Sequence, residues 1–459
     1  MQSIADLITD AYRQKGFVTS RAYLPPQKID QGVLLIKVIE GLTGKIEVKG
    51  SRHFKTSLLR RKIALKEGDL LNFNILRKGL NEINDHPDRT ARAVLVPGTD
   101  SGTTDIVIEV KERLPVHIGF GWDNLGSQYI DKQRYDTRFE HNNLLGFDDR
   151  LMLEYQLAQA DRYVFKYMRY VVPVADWELG MVADQSKVKL GKELEDADLR
   201  GESELYGFFV AKSLIRTDRF NLNINAGFDY KNATNTEAGN VSSEDLLRVA
   251  KTGLDMYEVD TQGRTLFVYE LGCGIPGLWG GLEEQSTTSS RSGAGGEFLK
   301  HSFNLLRLQK MFFSSVLLWK NQSQVSSDVL TSTEQFQLGG VANVRGYPAA
   351  EAVGDSGYST TWEWSCPLYG LSKNIRVPFS KASFYDAIRL ALFYDWGFAH
   401  LKNPLATEQE NSTLRSLGCG VSFNLPEDLS FRTDFAWPLG ETPSDGDNLH
   451  ILMQFSKNF

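Results

Sequence analysis

No run of apolar residues in this chain of 459 is long enough to cross a bilayer as a helix. Met1 to Gly16 is amphipathic and polar and lacks an apolar central segment, so no secretory leader is read there. Cysteine is scarce. Cys273, Cys366 and Cys419 form no C-x-x-C pair and no metal-type spacing, and they read as small apolar residues rather than ligands or disulfide partners. A basic excess is absent: the net charge of -7 argues against a nucleic-acid partner. The seven histidines, among them His53, His117, His141 and His450, are scattered. The patterns G-x-S-x-G, H-E-x-x-H and G-x-x-x-x-G-K-[ST] do not occur. No catalytic residue, metal site, cofactor, small-molecule substrate or nucleotide-driven step is therefore expected.

What the chain does contain is glycine and aromatic residues. Its 40 glycines, 26 phenylalanines, 17 tyrosines and 8 tryptophans suit an aromatic-rich β-protein. A composition of 41% hydrophobic and 24% charged residues looks soluble. A transmembrane barrel alternates apolar and polar residues, however, and averages to the same values. The length holds two or three ordinary domains, or one small domain and a large barrel.

The patterning changes near Pro115. Before it, Gly44 to Gly50 reads as a strand with Ile46 and Val48 on one face. Leu58, Leu59, Ile63 and Leu65 recur at helical spacing in Thr56 to Leu65, as do Ile75, Leu76, Leu80 and Ile83 in Asn72 to Asp85. Asn72 is placed to cap the second helix and His86-Pro87 to end it. Ala91 to Val96 and Thr104 to Val110 read as strands around the turn-rich loop Pro97 to Gly102. This β-α-α-β-β order defines a small α+β domain over residues 42–113. Residues 1–40 look like the remnant of a similar unit, with a short helix and then a strand from Gly32 to Ile39.

Over residues 115–459 strands alone are expected, with period-2 alternation throughout. Phe220, Leu222, Ile224, Ala226, Phe228 and Tyr230 share one face against Asn221, Asn223, Asn225, Gly227 and Asp229. Leu429, Phe431, Phe435 and Trp437 oppose Ser430, Arg432 and Asp434. About sixteen such segments occur, each near the length of a tilted membrane strand. A soluble sandwich or propeller and a membrane barrel both produce alternation. Polar faces rich in Asn, Gln, Arg and Asp favour the barrel, as do long polar connections such as Glu283 to Gly296 beside tight ones. Tyr163, Phe165, Tyr167 and Tyr170 are expected at an interfacial aromatic girdle. All three cysteines are expected to face lipid. The absence of a blade-like repeat counts against a propeller.

The candidate functional element is a loop, 336–354, centred on Val344-Arg345-Gly346-Tyr347 and preceded by the Gly339-Gly340 pair. Gly354-Asp355-Ser356-Gly357-Tyr358 follows closely. Parity in Ile388 to Gly397 puts Asp395 on the inner wall. An arginine on an infolded loop and an aspartate on that wall can pair bidentately. In a wet lumen such a pair adds little stability, and its use is to fix the loop or let it switch. By spacing alone, Arg345 and Asp395 read more readily as two unrelated polar groups.

Val344-Arg345-Gly346-Tyr347 resembles the VRGY motif of the infolded loop in BamA-like proteins and their secretion relatives. Phe393-Tyr394-Asp395-Trp396-Gly397 resembles the partner F-x-D-x-G strand motif. Phe17 to Gln27, Gly32 and Glu40-Gly41 resemble the end of the first POTRA domain in the haemolysin-activator (ShlB/FhaC-type, TpsB) branch. Gly68, Leu71-Asn72 and Leu95-Val96-Pro97-Gly98 resemble its second POTRA domain. Asp123 to Ser127 and Asn142 to Asp149 resemble its first barrel strands. The match runs in order along essentially the whole chain, so the sequence resembles a two-partner secretion transporter. It departs from the family in lacking a signal peptide, most of the first POTRA domain and the N-terminal plug helix that some members carry. Tyr129-Ile130-Asp131 also replaces a usual Thr-Gly.

The resemblance implies a transmembrane β-barrel of about 16 antiparallel strands with an N-terminal α+β POTRA region. The divisions are a partial first POTRA domain at 1–40, a second at 42–113 and a barrel at 115–459. It implies the outer membrane of a Gram-negative-type bacterium, with the POTRA region in the periplasm. The function implied is secretion of one large β-helical TpsA-type client, with the POTRA region capturing it and the Arg345 loop positioning the channel. Val344, Arg345, Gly346 and Tyr347 are the implied loop motif, and Phe393, Asp395 and Gly397 its barrel-wall partners. Phe459 is the implied C-terminal barrel-assembly signal, read by the barrel-assembly machinery. Outer-membrane lipid is the remaining partner. The competing readings are a BamA-like assembly factor, a passive porin and, last, an outer-membrane enzyme.

Overall fold

The computed structural model describes residues 2–27, 33–158 and 162–459. The chain divides into two units, Met1–Val116 with His141–Arg150, and His117–Glu140 with Leu151–Phe459.

The first unit begins with α1 (Gln2–Gln14) and the antiparallel pair β1 (Arg21–Tyr23) and β2 (Lys37–Ile39). The strand expected from Gly32 to Ile39 forms only over Lys37–Ile39, Gly32 lying outside the described residues, and β1 is too short for its alternation to show in the sequence. Then follow β3 (Leu42–Lys49), α2 (Thr56–Lys62), α3 (Phe73–Asn84), β4 (Arg89–Pro97) and β5 (Thr103–Glu112). The sheet order is β3-β5-β4, with β3 parallel and β4 antiparallel to the central strand. Ile106, Ile108 and Val110 point from one face of β5 into a core with Leu59, Ile63, Leu76 and Ile83 of the helical segments. Asn72 caps α3, its side-chain oxygen accepting from the Asn74 N–H at 2.9 Å. Helix α2 stops before Leu65: Ile63 turns extended with its N–H on the Arg60 carbonyl, and the Arg60 guanidinium binds the carbonyls of Ile63 (3.0 Å) and Leu65 (2.9 Å) beyond the helix end.

Residues 141–150 belong to this unit through buried polar contacts. Arg89 donates to both oxygens of Asp148, at 2.5 and 2.7 Å, and Lys62 lies 2.7 Å from the same carboxylate. Burial alone would raise the Asp148 carboxyl, but the Arg89 hydrogen bonds and the Lys62 charge outweigh it and hold the pKa at about 2. His86 Nδ1 accepts from the Asp88 N–H at 3.1 Å, so the proton sits on Nε2, which faces the Asn142 carbonyl at 2.6 Å. Burial pushes the imidazole below its ordinary value.

The second unit is a closed antiparallel barrel of sixteen strands. They are β6 (Val116–Asp123), β7 (Arg134–His141), β8 (Arg150–Ala158), β9 (Tyr163–Val174), β10 (Trp177–Lys189), β11 (Arg200–Arg216), β12 (Phe220–Glu237), β13 (Asn240–Val259), β14 (Gly263–Gly274), β15 (Phe298–Lys310) and β16 (Val316–Ser326). Two short strands inside a loop come next, β17 (Phe336–Leu338) and β18 (Ala352–Gly354). The wall resumes with β19 (Ser356–Pro367), β20 (Ile388–His400), β21 (Asn411–Leu425), β22 (Leu429–Pro438) and β23 (His450–Asn458). β23 pairs with β6 to close the ring, and the Phe459 N–H donates to the Ile118 carbonyl at 2.9 Å.

Burial settles which face points where. Phe120, Tyr155, Leu179, Phe208, Leu254, Leu392, Leu417 and Phe455 are exposed on the outside, whereas Asp229, Glu363, Asp395, Ser416 and Asp434 are buried inside. A soluble sandwich would invert this distribution; a barrel facing lipid requires it. The three cysteines fall on the outer parity, as expected, with Cys366 opposite Leu390 and Cys419 opposite Leu392.

Two expectations need correction. Cross-strand register runs Tyr167, Asp184, Leu205, Lys231 on one face, and Lys231 reaches a buried glutamate inside the barrel. Tyr163, Phe165 and Tyr167 therefore face the lumen, and only Tyr170, opposite the exposed Met181, lies on the outer face. Strands are also not alone after Pro115: a short helix, α4 (Phe384–Ala387), is capped by Ser383, whose hydroxyl accepts from the Asp386 N–H at 3.1 Å. This helix lies in connection 368–387, a long segment at the end that also carries tight turns such as 175–176 and 217–219.

Candidate functional site

Between β16 and β19 the chain turns into the barrel. β17 and β18 pair from Phe336–Gly354 to Leu338–Ala352 and form the stem of the infolded loop. Gly339 and Gly340 have φ of 105° and 77°, a region that disfavours any Cβ. Asn343 holds the turn together. Its side-chain oxygen accepts from the N–H groups of Gly339 (2.8 Å) and Val344 (2.9 Å), and its amide donates to the Gln337 carbonyl (2.8 Å).

The turn delivers Arg345 to the wall. Its Nε and Nη2 donate to the two oxygens of Asp395, both at 2.9 Å, and its backbone N–H reaches Asp395 at 3.2 Å. Nη1 donates to Glu363 on β19 at 2.7 Å and lies 3.4 Å from Asp434 on β22. The guanidinium stacks on the Phe393 ring, 3.3 Å from its centroid. Ser416 on β21 also donates to Asp395, at 3.1 Å. Arg432 supplies the second guanidinium, bridging Glu363 (2.8 and 3.0 Å) and Asp434 (2.9 and 3.0 Å). The Lys320 ammonium donates to the Ala342 carbonyl.

Each residue of the two motifs has a separate physical task. Val344, Leu338 and Tyr347 form a buried apolar cluster with Phe336, Ala399 and Leu414. At Gly346 a Cβ would lie 2.7 Å from Ser416 Cβ and 2.9 Å from the Pro438 nitrogen. At Gly397 it would meet Leu338 and Val344 side-chain carbons at 2.6 and 3.2 Å. Gly418, outside either motif, leaves room for the Phe393 ring, whose Cζ would lie 2.1 Å from an added Cβ.

The expected pair is brought together, but not in a wet lumen: Arg345 is 5% exposed and Asp395 0%. Buried charges of this kind add little over an apolar replacement, yet removing one partner strands the others. The sequence reading missed Glu363, Ser416, Gly418 and the second role of Asp434. Glu363 had a signal, a lone carboxylate between Trp362 and Trp364 on the polar parity.

Two further carboxylates tie the same connection through ion pairs. Glu334 is gripped by Lys231 (2.6 Å) and by Lys300. Asp355 accepts from Arg291 (2.6 Å) and from the N–H groups of Leu330 and Lys402, both at 2.7 Å. Arg291 also donates to the Leu330 (2.9 Å) and Lys402 (2.8 Å) carbonyls, so one guanidinium joins three long connections at the same end of the barrel. The arrangement is built to hold a loop in place. Phe459, the remaining expected site residue, packs edge-on against Phe120 at 6.4 Å, with Lys457 Nζ 4.2 Å from its ring.

Comparison with known proteins gives a consistent result. The family described as "Haemolysin secretion/activation protein ShlB/FhaC/HecB" matches residues 102–423. A ShlB-type POTRA domain matches residues 1–41, and a second POTRA family, described as "Surface antigen variable number repeat", matches residues 43–113. The heme/hemopexin transporter protein HuxB of Haemophilus influenzae is 24% identical over 100% of this chain and 81% of its own length. The outer membrane transporter CdiB of Dickeya dadantii is 23% identical over 94% of this chain and 75% of its own. Among solved structures, CdiB from Escherichia coli superposes with a TM-score of 0.79 at 20% identity, covering 100% of this chain and 84% of that one. BamA from Haemophilus ducreyi lacking POTRA domains 1–3 gives 0.63 at 13% identity, covering 100% and 94%. These two likenesses concern the fold.

Proposed function

The chain belongs to the haemolysin secretion/activation family ShlB/FhaC/HecB, and from that membership we propose how it works as an outer-membrane transporter of a partner exoprotein. Its periplasmic POTRA region receives the client before translocation. Residues 42–113 take the unfolded chain as an added strand at a sheet edge. Asn84 binds both backbone groups of Ala91 and covers the start of the β4 edge, which leaves Ala93 to Val96 as the length offered.

The client is one large β-helical exoprotein. It crosses extended, since a sixteen-stranded barrel is wide enough for an aqueous channel but not for a folded domain. Folding outside makes export hard to reverse. The Arg345 loop occupies part of the lumen and sets the open state of the channel. Phe459 is the signal read by the barrel-assembly machinery, and the apolar outer face contacts outer-membrane lipid.

The observation that supports the loop's role is the bidentate pairing of Arg345 with Asp395 on the inner wall. The test is secretion of a candidate partner exoprotein, in cells with the wild type, without it, and with Arg345→Ala. Export should require the protein and should fall in the variant at normal barrel levels. Full export by that variant would remove the loop's role. The BamA likeness in fold supports one rival, an assembly factor. A drop in unrelated outer-membrane barrels on deletion, with exoprotein export unchanged, would favour it.

A further inference from the structure

The lumen carries a feature that the loop does not account for. Tyr163, Phe165 and Tyr167 project inward from alternate positions of β9, and Arg169 follows them on the same face. The Phe165 and Tyr167 rings are 6.3 Å apart and nearly parallel, at 22°. Below them Arg169 sits 5.2 Å from the Phe209 ring of β11. Phe209 lies across Gly180, where an added Cβ would meet the ring at 2.0 Å. From Tyr163 to the level of Phe209 the column runs about 26 Å along the strand.

Three facts set this column apart from ordinary packing. First, the rings are only partly buried, and they lie outside the apolar clusters formed around the Arg345 loop and around Leu247. Second, small lumen-facing residues leave room beside part of the column. Ser186 and Ser203 lie next to Phe165, Gly201 lies in the Tyr163 row beyond Val188, and Gly207 lies in the Arg169 row beyond Val182, while Asp184 and Leu205 adjoin Tyr167. Third, the position is opposite the loop. Round the sixteen strands, β10 is eight strands from β20 in either direction, and β20 carries Asp395. The anchored loop takes one side of the lumen and the aromatic column lines the other.

We infer that this column is the track along which the extended client moves, a statement that rests on the transport reading above. Its rings repeat every second residue, roughly every 6.6 Å, which is also the repeat of same-side residues in an extended chain lying alongside. A client with apolar side chains at alternate positions, the pattern of a β-forming polypeptide, meets successive rings in register. Aromatic faces accept aliphatic and aromatic groups without demanding a sequence, and each contact is weak. Several weak, equally spaced contacts hold a chain to the wall and still let it step forward. Arg169 at the lower end presents a cation for peptide carbonyls or client carboxylates.

The experiment compares the wild type with the triple variant Tyr163→Ser, Phe165→Ser, Tyr167→Ser in intact cells, with heat-modifiable gel migration checking assembly. Export of the partner should slow by about fivefold or more at unchanged barrel level. A photo-crosslinker at position 165 or 167, with the client stalled in transit, should capture it more strongly than one at lumen-facing Asn304 on β15 or at outward-facing Met168. Should the triple variant misassemble, the crosslinks alone decide. Equal capture at 165, 167 and 304, or unchanged export by an assembled triple variant, overturns the track and leaves the transport reading intact. No capture at any lumen position, with export independent of this protein, defeats the transport reading itself.

Discussion

Arg345 and Asp395 meet at three points, two guanidinium bonds of 2.9 Å and a backbone bond of 3.2 Å, beneath a surface that leaves Asp395 with no exposure. The aspartate thus reads both the identity of the side chain and the path of the loop. Around it are two further carboxylates, Glu363 and Asp434, which share Arg345 with Arg432.

Arg345→Ala leaves Glu363, Asp395 and Asp434 with Arg432 as the remaining guanidinium. Loss of one member of a buried network costs about 3–5 kcal/mol, enough to release the loop but not to open sixteen paired strands. Export should fall, and single-channel recordings should show longer or more frequent openings. Arg345→Lys should recover little of this, since an ammonium cannot make the two-point bond or the flat stack on Phe393. Wild-type conductance and export in the lysine variant would count against the geometry.

Gly346→Ala tests the fit of the loop without touching a charge. The added Cβ meets Ser416 Cβ at 2.7 Å and backbone atoms near Pro438 at 2.9–3.0 Å, which do not yield as a flexible side chain would. Overpacking of this kind costs about 1–3 kcal/mol. Limited proteolysis of assembled barrels should cut within 336–354 in the variant and not in the wild type.

Arg291→Ala removes the cation that joins connections 275–297, 327–355 and 401–410 through Asp355. These segments should exchange amide hydrogens faster, most of all at Leu330 and Lys402, whose N–H groups bind Asp355 at 2.7 Å. The Arg345 site should keep its protection. If both regions loosen together, the two anchors are one cooperative element.

Acid should loosen residues 141–150 in two stages. His86 has a lowered folded pKa, so its contribution is full above the ordinary value near 6.5 and is lost as the pH falls towards the folded value. Asp148 is held at about 2 against an ordinary 3.8, so its contribution is full above about 4 and disappears as the pH falls through about 2. The Asp148 contribution is on the order of 2 kcal/mol. Asp148→Asn should reproduce the acid effect at neutral pH, read as faster hydrogen exchange over 141–150 in the intact protein.

Much of the fold was legible because alternation is a local property. Parity along Ile388 to Gly397 placed Asp395 on the polar face before any strand was paired, and helical spacing over Asn72 to Asp85 found α3 and its cap. The same alternation separates Tyr163, Phe165 and Tyr167 from Tyr170, so aromatic composition without parity does not define a girdle. Short elements stayed hidden for want of length. β1 and α4 are each less than two periods of any pattern, and α4 depends on the Ser383 cap more than on periodicity.

The sequence by itself determined that polar and apolar faces alternate, that glycines line the turn before Val344, and that one arginine and one aspartate stand where such a fold would use them. Only the tertiary structure decided that the apolar face looks outward, because sandwich and barrel write the same pattern. It also decided which charges converge. Glu363, Asp395 and Asp434 lie 18, 50 and 89 residues from Arg345 along the chain. Ring closure and cross-strand register, not sequence spacing, bring them around a single guanidinium.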